Sequence, residues 1–199
     1  MNLKFEGKGL RYLDFDSECR PLTYLGSDYT TAEVTAIAWC WVDDVKSMQY
    51  RLLGEDDMET ILGDFVKAYN EADVVTGHYI LGHDLPVLNG ALLEQDQPPL
   101  GDKLVQDTKV HLITRKYVSA SQESLSGMLR IDAPKVQMDQ TKWRKANRLL
   151  PAGLELTKQR VVGDVIQHMQ MREELLRLHW LNPPVLWSRG GASVKSYAP

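Results

Sequence analysis

The chain has 199 residues, of which 43% are apolar and 25% are charged, and its formal net charge is −4. This length and composition predict a single domain with one sizeable core, and no apolar run is long enough to indicate a membrane span or a membrane partner. Cys19 and Cys40 are too few for a disulfide framework and lack metal-ligand spacing, so we expect both to be reduced in a cytoplasmic protein.

Three strands are predicted at the start of the chain. Residues 10–15 form a first apolar run, residues 34–42 are rich in β-branched and aromatic side chains, and residues 48–53 complete a hairpin. Apolar residues at helical spacing then predict a helix over residues 57–72. Residues 73–76 follow as a short buried strand. Residues 85–93 are predicted to be a second helix, which tolerates Pro86 in its first turn.

The second half of the chain is predicted to contain a short strand and two helices. The strand spans residues 103–106, and a short helix capped by Ser121 spans residues 123–131. Residues 154–178 carry apolar side chains on one broad face, which predicts a long helix. We expect residues 1–181 to form the domain and residues 182–199 an irregular tail. This order of elements predicts an α/β domain with a mixed sheet.

Four acidic residues lie in widely separated segments: Asp16, Glu18, Asp84 and Asp164. Asp16 and Glu18 follow the first predicted strand, and ligand sites of open α/β sheets lie beyond strand ends. In extended backbone, residues i and i+2 face the same side, so both carboxylates can point at one cation. Ions such as Mg²⁺ are hard and prefer oxygen ligands. Four converging carboxylates are therefore what a two-metal phosphodiester-cleaving site requires.

Three segments resemble the motifs of the DnaQ-like 3′–5′ exonucleases, also called DEDD or ribonuclease-H-like exonucleases. They are residues 16–22 (DSECRPL), 75–89 (VTGHYILGHDLPVLN) and 162–165 (VGDV). Residues 106–109 (QDTK) and 124–129 (SLSGML) also fall where the family often has an Asp-Thr pair and a Ser-Leu-x-x-Leu segment. The resemblance covers roughly residues 9–178, and stand-alone phage-encoded members are the most similar in style. It implies a ribonuclease-H-like mixed sheet flanked by helices.

The resemblance implies that Asp16, Glu18, Asp84 and Asp164 hold two divalent ions, Mg²⁺ or Mn²⁺. A competing register of the first motif would use Asp14 and Asp16 as its two carboxylates. We prefer Asp16 and Glu18, because the family's Asp-x-Glu is often followed by Thr-x-Pro. Residues 19–21 (CRP) match that pattern here.

The third motif departs from the family pattern. Family members carry a Tyr four residues, or a His five residues, before the motif's Asp, where it orients or deprotonates the attacking water. Those positions are Arg160 and Gln159 here, and Arg stays protonated. His168 lies four residues after Asp164 on the same helix face, so it is a candidate proton acceptor. Two alternatives stay open: His168 is a buried structural residue, or metal-bound water ionises without a side-chain base.

A nucleic-acid partner would require a local basic patch, because the net charge of the chain is acidic. Residues 142–145 (KWRK) and Arg148 interleave a Trp with cations. Such a group can hold a single-stranded backbone and stack a base, or it can be a solvated helix face with one docked Trp.

Taken together, the motifs predict a divalent-metal-dependent 3′–5′ exonuclease. We expect it to act on DNA, preferably at single-stranded 3′ ends, by a two-metal mechanism. An exoribonuclease would share every motif. The alternative from another class is a catalytically weak nucleic-acid-binding or interaction module with the same fold, which the missing Tyr or His favours.

Overall fold

A six-stranded mixed sheet forms the centre of the computed structural model, which describes residues 9–22, 30–113, 117–132 and 136–188. The strands are β1 (Tyr12–Pro21), β2 (Ala32–Trp41), β3 (Asp44–Leu52), β4 (Val74–Gly77), β5 (Lys103–Asp107) and β6 (Val185–Trp187). They lie in the order β3-β2-β1-β4-β5-β6. Strands β1, β4 and β5 are parallel, whereas the pairs β1–β2, β2–β3 and β5–β6 are antiparallel. The predicted ribonuclease-H-like mixed sheet, with its antiparallel three-strand start, is confirmed.

Six helices are present in the described residues. They are α1 (Met58–Glu71), α2 (Asp84–Glu94), α3 (Thr108–Ile113), α4 (Gln122–Met128), α5 (Gln140–Asn147) and α6 (Pro151–Arg177). Helix α1 has its predicted extent, because the carboxylate of Asp57 caps its first turn by accepting the Thr60 N–H at 2.7 Å. Helix α6 begins after Leu150 with Pro151 in its first turn, where the missing N–H is not needed.

The alternation of side chains along β1 assigns its two faces to different partners. Leu13 and Phe15 face the main apolar core, where the Phe15 ring lies 5.0 Å from that of Phe65 on α1. Asp14 and Asp16 face the opposite side, which α6 covers. The candidate carboxylates of the strand therefore lie between the sheet and α6.

Small side chains let α6 approach the sheet closely. Ala36, Ala38 and Cys40 alternate along β2 on the α6 side, and Val161 and Val165 of α6 pack against them. The residues between them on β2 are larger and pack into the main core on the other face. This short distance brings polar side chains of α6 within reach of β1.

The structure extends the first predicted strand and begins the third strand earlier than predicted. Strand β1 continues to Pro21 instead of ending near residue 15, because its pairing with β2 continues as far as Pro21 opposite Ala32. Its parallel pairing with β4 covers only Tyr12 to Asp14. Asp16 and Glu18 therefore lie within a strand, but beyond the end of its parallel neighbour. Strand β3 begins at Asp44, because the turn occupies only residues 42–43.

The region predicted to be an irregular tail contains a short strand. Residues of β6 pair with β5, and Trp187 is buried in the main core. The strand covers the backbone of β5 that would otherwise be an open sheet edge. Residues 189–199 lie outside the described residues, and the division at residue 182 stays a prediction. Among the described residues, no helix has both the length and the apolar character needed to cross a membrane.

Candidate metal centre

Strand β1 and helix α6 run in opposite directions and pair their side chains in a ladder. Two strand residues advance by about 6.7 Å and four helix residues by about 6 Å, so every second residue of β1 meets every fourth residue of α6. The pairs are Tyr12 with Arg172, Asp14 with His168, Asp16 with Asp164, and Glu18 with Arg160. The candidate site is the half of this ladder that lies beyond the end of β4.

Three predicted carboxylates form one group. Asp16, Glu18 and Asp164 each offer an oxygen atom, and these three atoms lie within 4.8 Å of one another. Asp164 is buried, whereas Asp16 and Glu18 are partly exposed at the site opening. Oxygen donors at this spacing suit a hard divalent cation such as Mg²⁺ or Mn²⁺.

Asp84, the fourth predicted carboxylate, is held beside this group. It is the first residue of α2 and is buried. Its Oδ1 accepts hydrogen bonds from the backbone N–H of Ser17 at 2.9 Å and from the Ser17 hydroxyl at 2.6 Å. Ser17 thus ties the start of α2 to β1. Burial raises the pKa of Asp84, and the two bonds from Ser17 oppose that rise.

The electrostatics of the four acids indicate a place for a cation. Burial, followed by the charges of Asp84, Asp164 and Glu18, raises the pKa of Asp16 well above its ordinary value. Burial also raises the pKa of Glu18 to about 7, although Arg160 opposes the change. Clustered carboxylates of this kind repel one another when ionised, and a bound divalent ion removes the repulsion. The donor set therefore fits the metal that the sequence predicts.

Arg160 stands among the same carboxylates. Its Nε donates to Glu18 Oε1 at 2.6 Å, and its Nη2 lies 3.5 Å from Asp164 Oδ2. Its Nη1 donates to the carbonyl of Val136 at 3.4 Å, and the guanidinium lies 5.3 Å from the centre of the Trp143 ring. The ion pairs of Arg160 with Glu18 and Asp164 were not predicted from the sequence. The spacing of four residues between Arg160 and Asp164 was the available signal for an ion pair.

Gln159, the other position where the resemblance implies a base, lies away from the carboxylates. Its side chain is exposed and donates to Glu155 Oε1 at 2.7 Å, one turn earlier on α6. An amide does not accept a proton near neutral pH. Neither of the two positions therefore supplies a water-activating group, as the sequence predicted.

The structure places His168 in a buried position next to the acidic group. Its Nδ1 is 2.6 Å from Asp14 Oδ2, and its Nε2 is 3.0 Å from the Thr108 hydroxyl. Both ring nitrogens thus have hydrogen-bond partners within the protein. This placement matches the alternative of a buried structural histidine, and the proposed proton transfer stays a prediction.

Asp14 is separated from the metal-ligand group by its pairing with His168. It is completely buried, and burial raises its pKa, while His168 and Arg172 oppose the change. The three-carboxylate group contains Asp16 and Glu18 and does not contain Asp14. The geometry therefore favours the Asp16 and Glu18 register of the first motif over the alternative that uses Asp14.

The loop that leads to Asp84 is fixed by the end of β5. The carboxylate of Asp107 accepts bonds from the backbone N–H groups of Tyr79 (3.0 Å), Leu81 (2.9 Å) and Val110 (3.0 Å). Tyr79 has a positive φ of 75°, an uncommon conformation that these contacts hold in place. The neighbouring Thr108 lies 2.9 Å from His78 Nδ1. The sequence showed Asp107 and Thr108 only as a family segment and gave them no role.

The predicted basic segment forms α5, which packs beside α6. Gly153 allows this approach, because an added Cβ would lie 2.2 Å from the Lys145 carbonyl oxygen. Trp143 is half-buried next to Arg160, whereas Arg144, Lys145 and Arg148 are exposed. The Trp is therefore docked against Arg160, and the cations around it are exposed to solvent.

Comparison with known proteins gives a relationship at the level of the fold. No family model matches the chain, and no curated protein matches it. Among solved structures, the family B DNA polymerase from the hyperthermophilic archaeon Pyrobaculum calidifontis matches 86% of this chain with a TM-score of 0.69 and 18% sequence identity. The chain spans 25% of the length of that polymerase. An identity this low establishes a shared fold and does not establish a shared activity.

Proposed function

We propose that this chain is a divalent-metal-dependent 3′–5′ exonuclease that acts on DNA, preferably on single-stranded 3′ ends. The observation that carries the proposal is the convergence of Asp16, Glu18 and Asp164 within 4.8 Å. The motif resemblance supports the reaction class, and the fold shared with part of a DNA polymerase is consistent with a nucleic-acid substrate.

The four carboxylates share one task in this proposal, which is to hold divalent metal. Asp16, Glu18, Asp84 and Asp164 would hold Mg²⁺ or Mn²⁺, and such ions supply water activation and charge stabilisation at a scissile phosphate. Asp84 is oriented for this task by the two hydrogen bonds from Ser17. The resemblance implies two ions. The number of ions is nevertheless a separate question from the reaction class, because an arginine shares the same carboxylates.

Proton transfer is the reaction step that the side chains of this site support least. Arg160 stays protonated, and Gln159 is turned to solvent. Since both ring nitrogens of His168 are engaged, we assign His168 to positioning Asp14 and not to accepting the proton of the water. Loss of a positioned general base costs about two to four orders of magnitude in rate. We therefore expect slow turnover.

A second candidate function rests on Arg160. Because its guanidinium already neutralises charge on Glu18 and Asp164, the carboxylates repel one another less and gain less from binding a metal ion. A nucleic-acid-binding module with little or no catalysis would keep the fold and the basic α5. An exoribonuclease differs from the first proposal only in substrate.

End-labelled oligonucleotides test these proposals directly. Single-stranded DNA labelled at the 5′ end should be shortened stepwise in Mn²⁺, and a 3′ label should be released as a mononucleotide. Matched RNA substrates test the exoribonuclease alternative. EDTA and Asp16→Asn should each abolish cleavage. Cleavage that persists in excess chelator contradicts the metal-dependent proposal, and binding without cleavage supports the second candidate.

A further inference from the structure

Arg160 is held in a defined position at the candidate metal centre. Four partners surround its guanidinium: the carboxylates of Glu18 and Asp164, the carbonyl of Val136 and the ring of Trp143. Only 19% of its side chain is exposed. A surface arginine usually has several conformations open to it, whereas this one is fixed by partners from β1, α5, α6 and the segment before α5.

The guanidinium contacts carboxylate oxygens that a metal ion would need as ligands. The group that suits a divalent ion comprises Asp16, Glu18 and Asp164, and Arg160 contacts an oxygen of two of them. Mg²⁺ and Mn²⁺ require several oxygen ligands each. Two ions and Arg160 would therefore compete for the same few carboxylate oxygens.

Repulsion between cations points in the same direction. Two divalent ions neutralise the four carboxylates fully, and a guanidinium that stays on Glu18 and Asp164 would then stand beside two cations. With one divalent ion, the guanidinium has a single cationic neighbour, and one negative charge of the carboxylates stays uncompensated. Like charges within a few ångströms repel strongly where water is partly excluded.

We propose that Arg160 takes the place of one of the two expected cations, so that the site binds a single Mg²⁺ or Mn²⁺. This inference rests on the proposed function. The guanidinium stays on Glu18 and Asp164 when this ion binds. The replacement of a water-activating residue by an arginine is then coupled to a change in metal stoichiometry. This chain would then bind one ion where the resemblance implies two.

Titration of the purified full chain with Mn²⁺ tests the proposal, with free Mn²⁺ followed by electron paramagnetic resonance. The wild type should bind one ion per chain. Arg160→Gln removes the charge at similar size, and it should bind two ions or hold one at least about tenfold more tightly. Arg160→Lys keeps the charge and should still bind one ion.

Arg51→Gln is the matched control. Arg51 is also a partly buried arginine in an ion pair, with Asp64, and it lies on β3 away from the acidic group. This variant should bind one ion with the affinity of the wild type. Thermal unfolding adds a second measurement: Arg160→Gln should lower the melting temperature in EDTA, and Mn²⁺ should restore it. The Mn²⁺-induced rise should be larger in Arg160→Gln than in the wild type, whereas after a purely structural loss the rise would be no larger than in the wild type.

Several results would overturn the inference. Two ions of comparable affinity in the wild type would do so whether or not Arg160→Gln folds. Two ions in Arg160→Lys, or an unchanged single ion in Arg160→Gln, would show that the charge does not exclude the second ion. Each of these results leaves the proposed nuclease standing. Absence of Mn²⁺ binding in every variant would instead remove the proposed metal centre, and this inference with it.

Discussion

Asp14 and Asp16 are two residues apart on the same face of β1, yet α6 gives them different surroundings. Asp14 meets His168 in a completely buried pair, whereas Asp16 meets the other carboxylates. The carboxylate of Asp14 is compensated by its hydrogen bond with His168. The carboxylate of Asp16 is stable as an anion only when a cation is near.

Replacement of each aspartate by asparagine should therefore have opposite effects. Asp14→Asn weakens a buried charge-assisted hydrogen bond, and we expect a loss of about 1–3 kcal/mol in the free energy of unfolding with Mn²⁺ binding retained. Asp16→Asn should lower Mn²⁺ affinity at least tenfold and leave stability in EDTA unchanged or increased. Thermal unfolding and Mn²⁺ titration measure both effects. Loss of Mn²⁺ affinity in both variants would indicate the register that uses Asp14 and Asp16.

His168→Ala separates the structural role of this residue from a catalytic one. Loss of its two buried hydrogen bonds should cost about 2 kcal/mol or more in stability. The kcat at a temperature where the variant is folded should stay within about tenfold of wild type, and the acidic limb of the pH–rate profile should be unchanged. A loss of a hundredfold or more together with that limb would make His168 the general base.

At the scale of elements, local signals account for what the sequence predicted well. Helix α1 was recognisable from its apolar spacing, and α4 from the Ser121 cap that precedes it. The extension of β1 was missed because Asp16 and Glu18 carry charges, which alone favour a loop. The contact of Arg160 with Glu18 depends on the register between β1 and α6. No local pattern records that register.

Asp107→Ala tests whether the end of β5 positions Asp84. Three backbone N–H groups would lose their acceptor, so we expect a cost of about 1–3 kcal/mol and weaker Mn²⁺ binding. Asp57→Ala is the control, because that carboxylate also accepts a backbone N–H but caps α1 far from the site. It should cost about 1 kcal/mol and leave Mn²⁺ affinity unchanged. Equal Mn²⁺ affinity in both variants would contradict a positioning role for Asp107.

At the scale of the whole molecule, the acidic cluster links stability to pH. The pKa of Glu18 rises to about 7 in the folded protein from an ordinary value of 4.5, and the pKa of Asp16 rises as well. Between these values the folded state binds more protons than the unfolded state. The free energy of unfolding therefore falls as pH rises through this window.

In EDTA, the protein should lose stability between pH 5 and pH 8, by up to about 3 kcal/mol from Glu18 alone. With saturating Mn²⁺ the trend should reverse, because metal binds the deprotonated carboxylates of the folded state. Urea unfolding at several pH values, with EDTA or with Mn²⁺, measures both trends. Stability that increases with pH in EDTA would contradict the crowding of carboxylates described above.

The ladder between β1 and α6 makes the site sensitive to chain length. One residue inserted in α6 between Arg160 and Arg172 would rotate everything beyond it by about 100° around the helix axis, and one residue inserted in β1 between Tyr12 and Glu18 would turn the following side chains to the opposite face. Either change would misalign several pairs at once. A substitution, by contrast, alters one pair and leaves the others in place. A substitution can therefore change the chemistry of this site at one pair, whereas we expect an insertion or deletion to be tolerated only in the connecting loops.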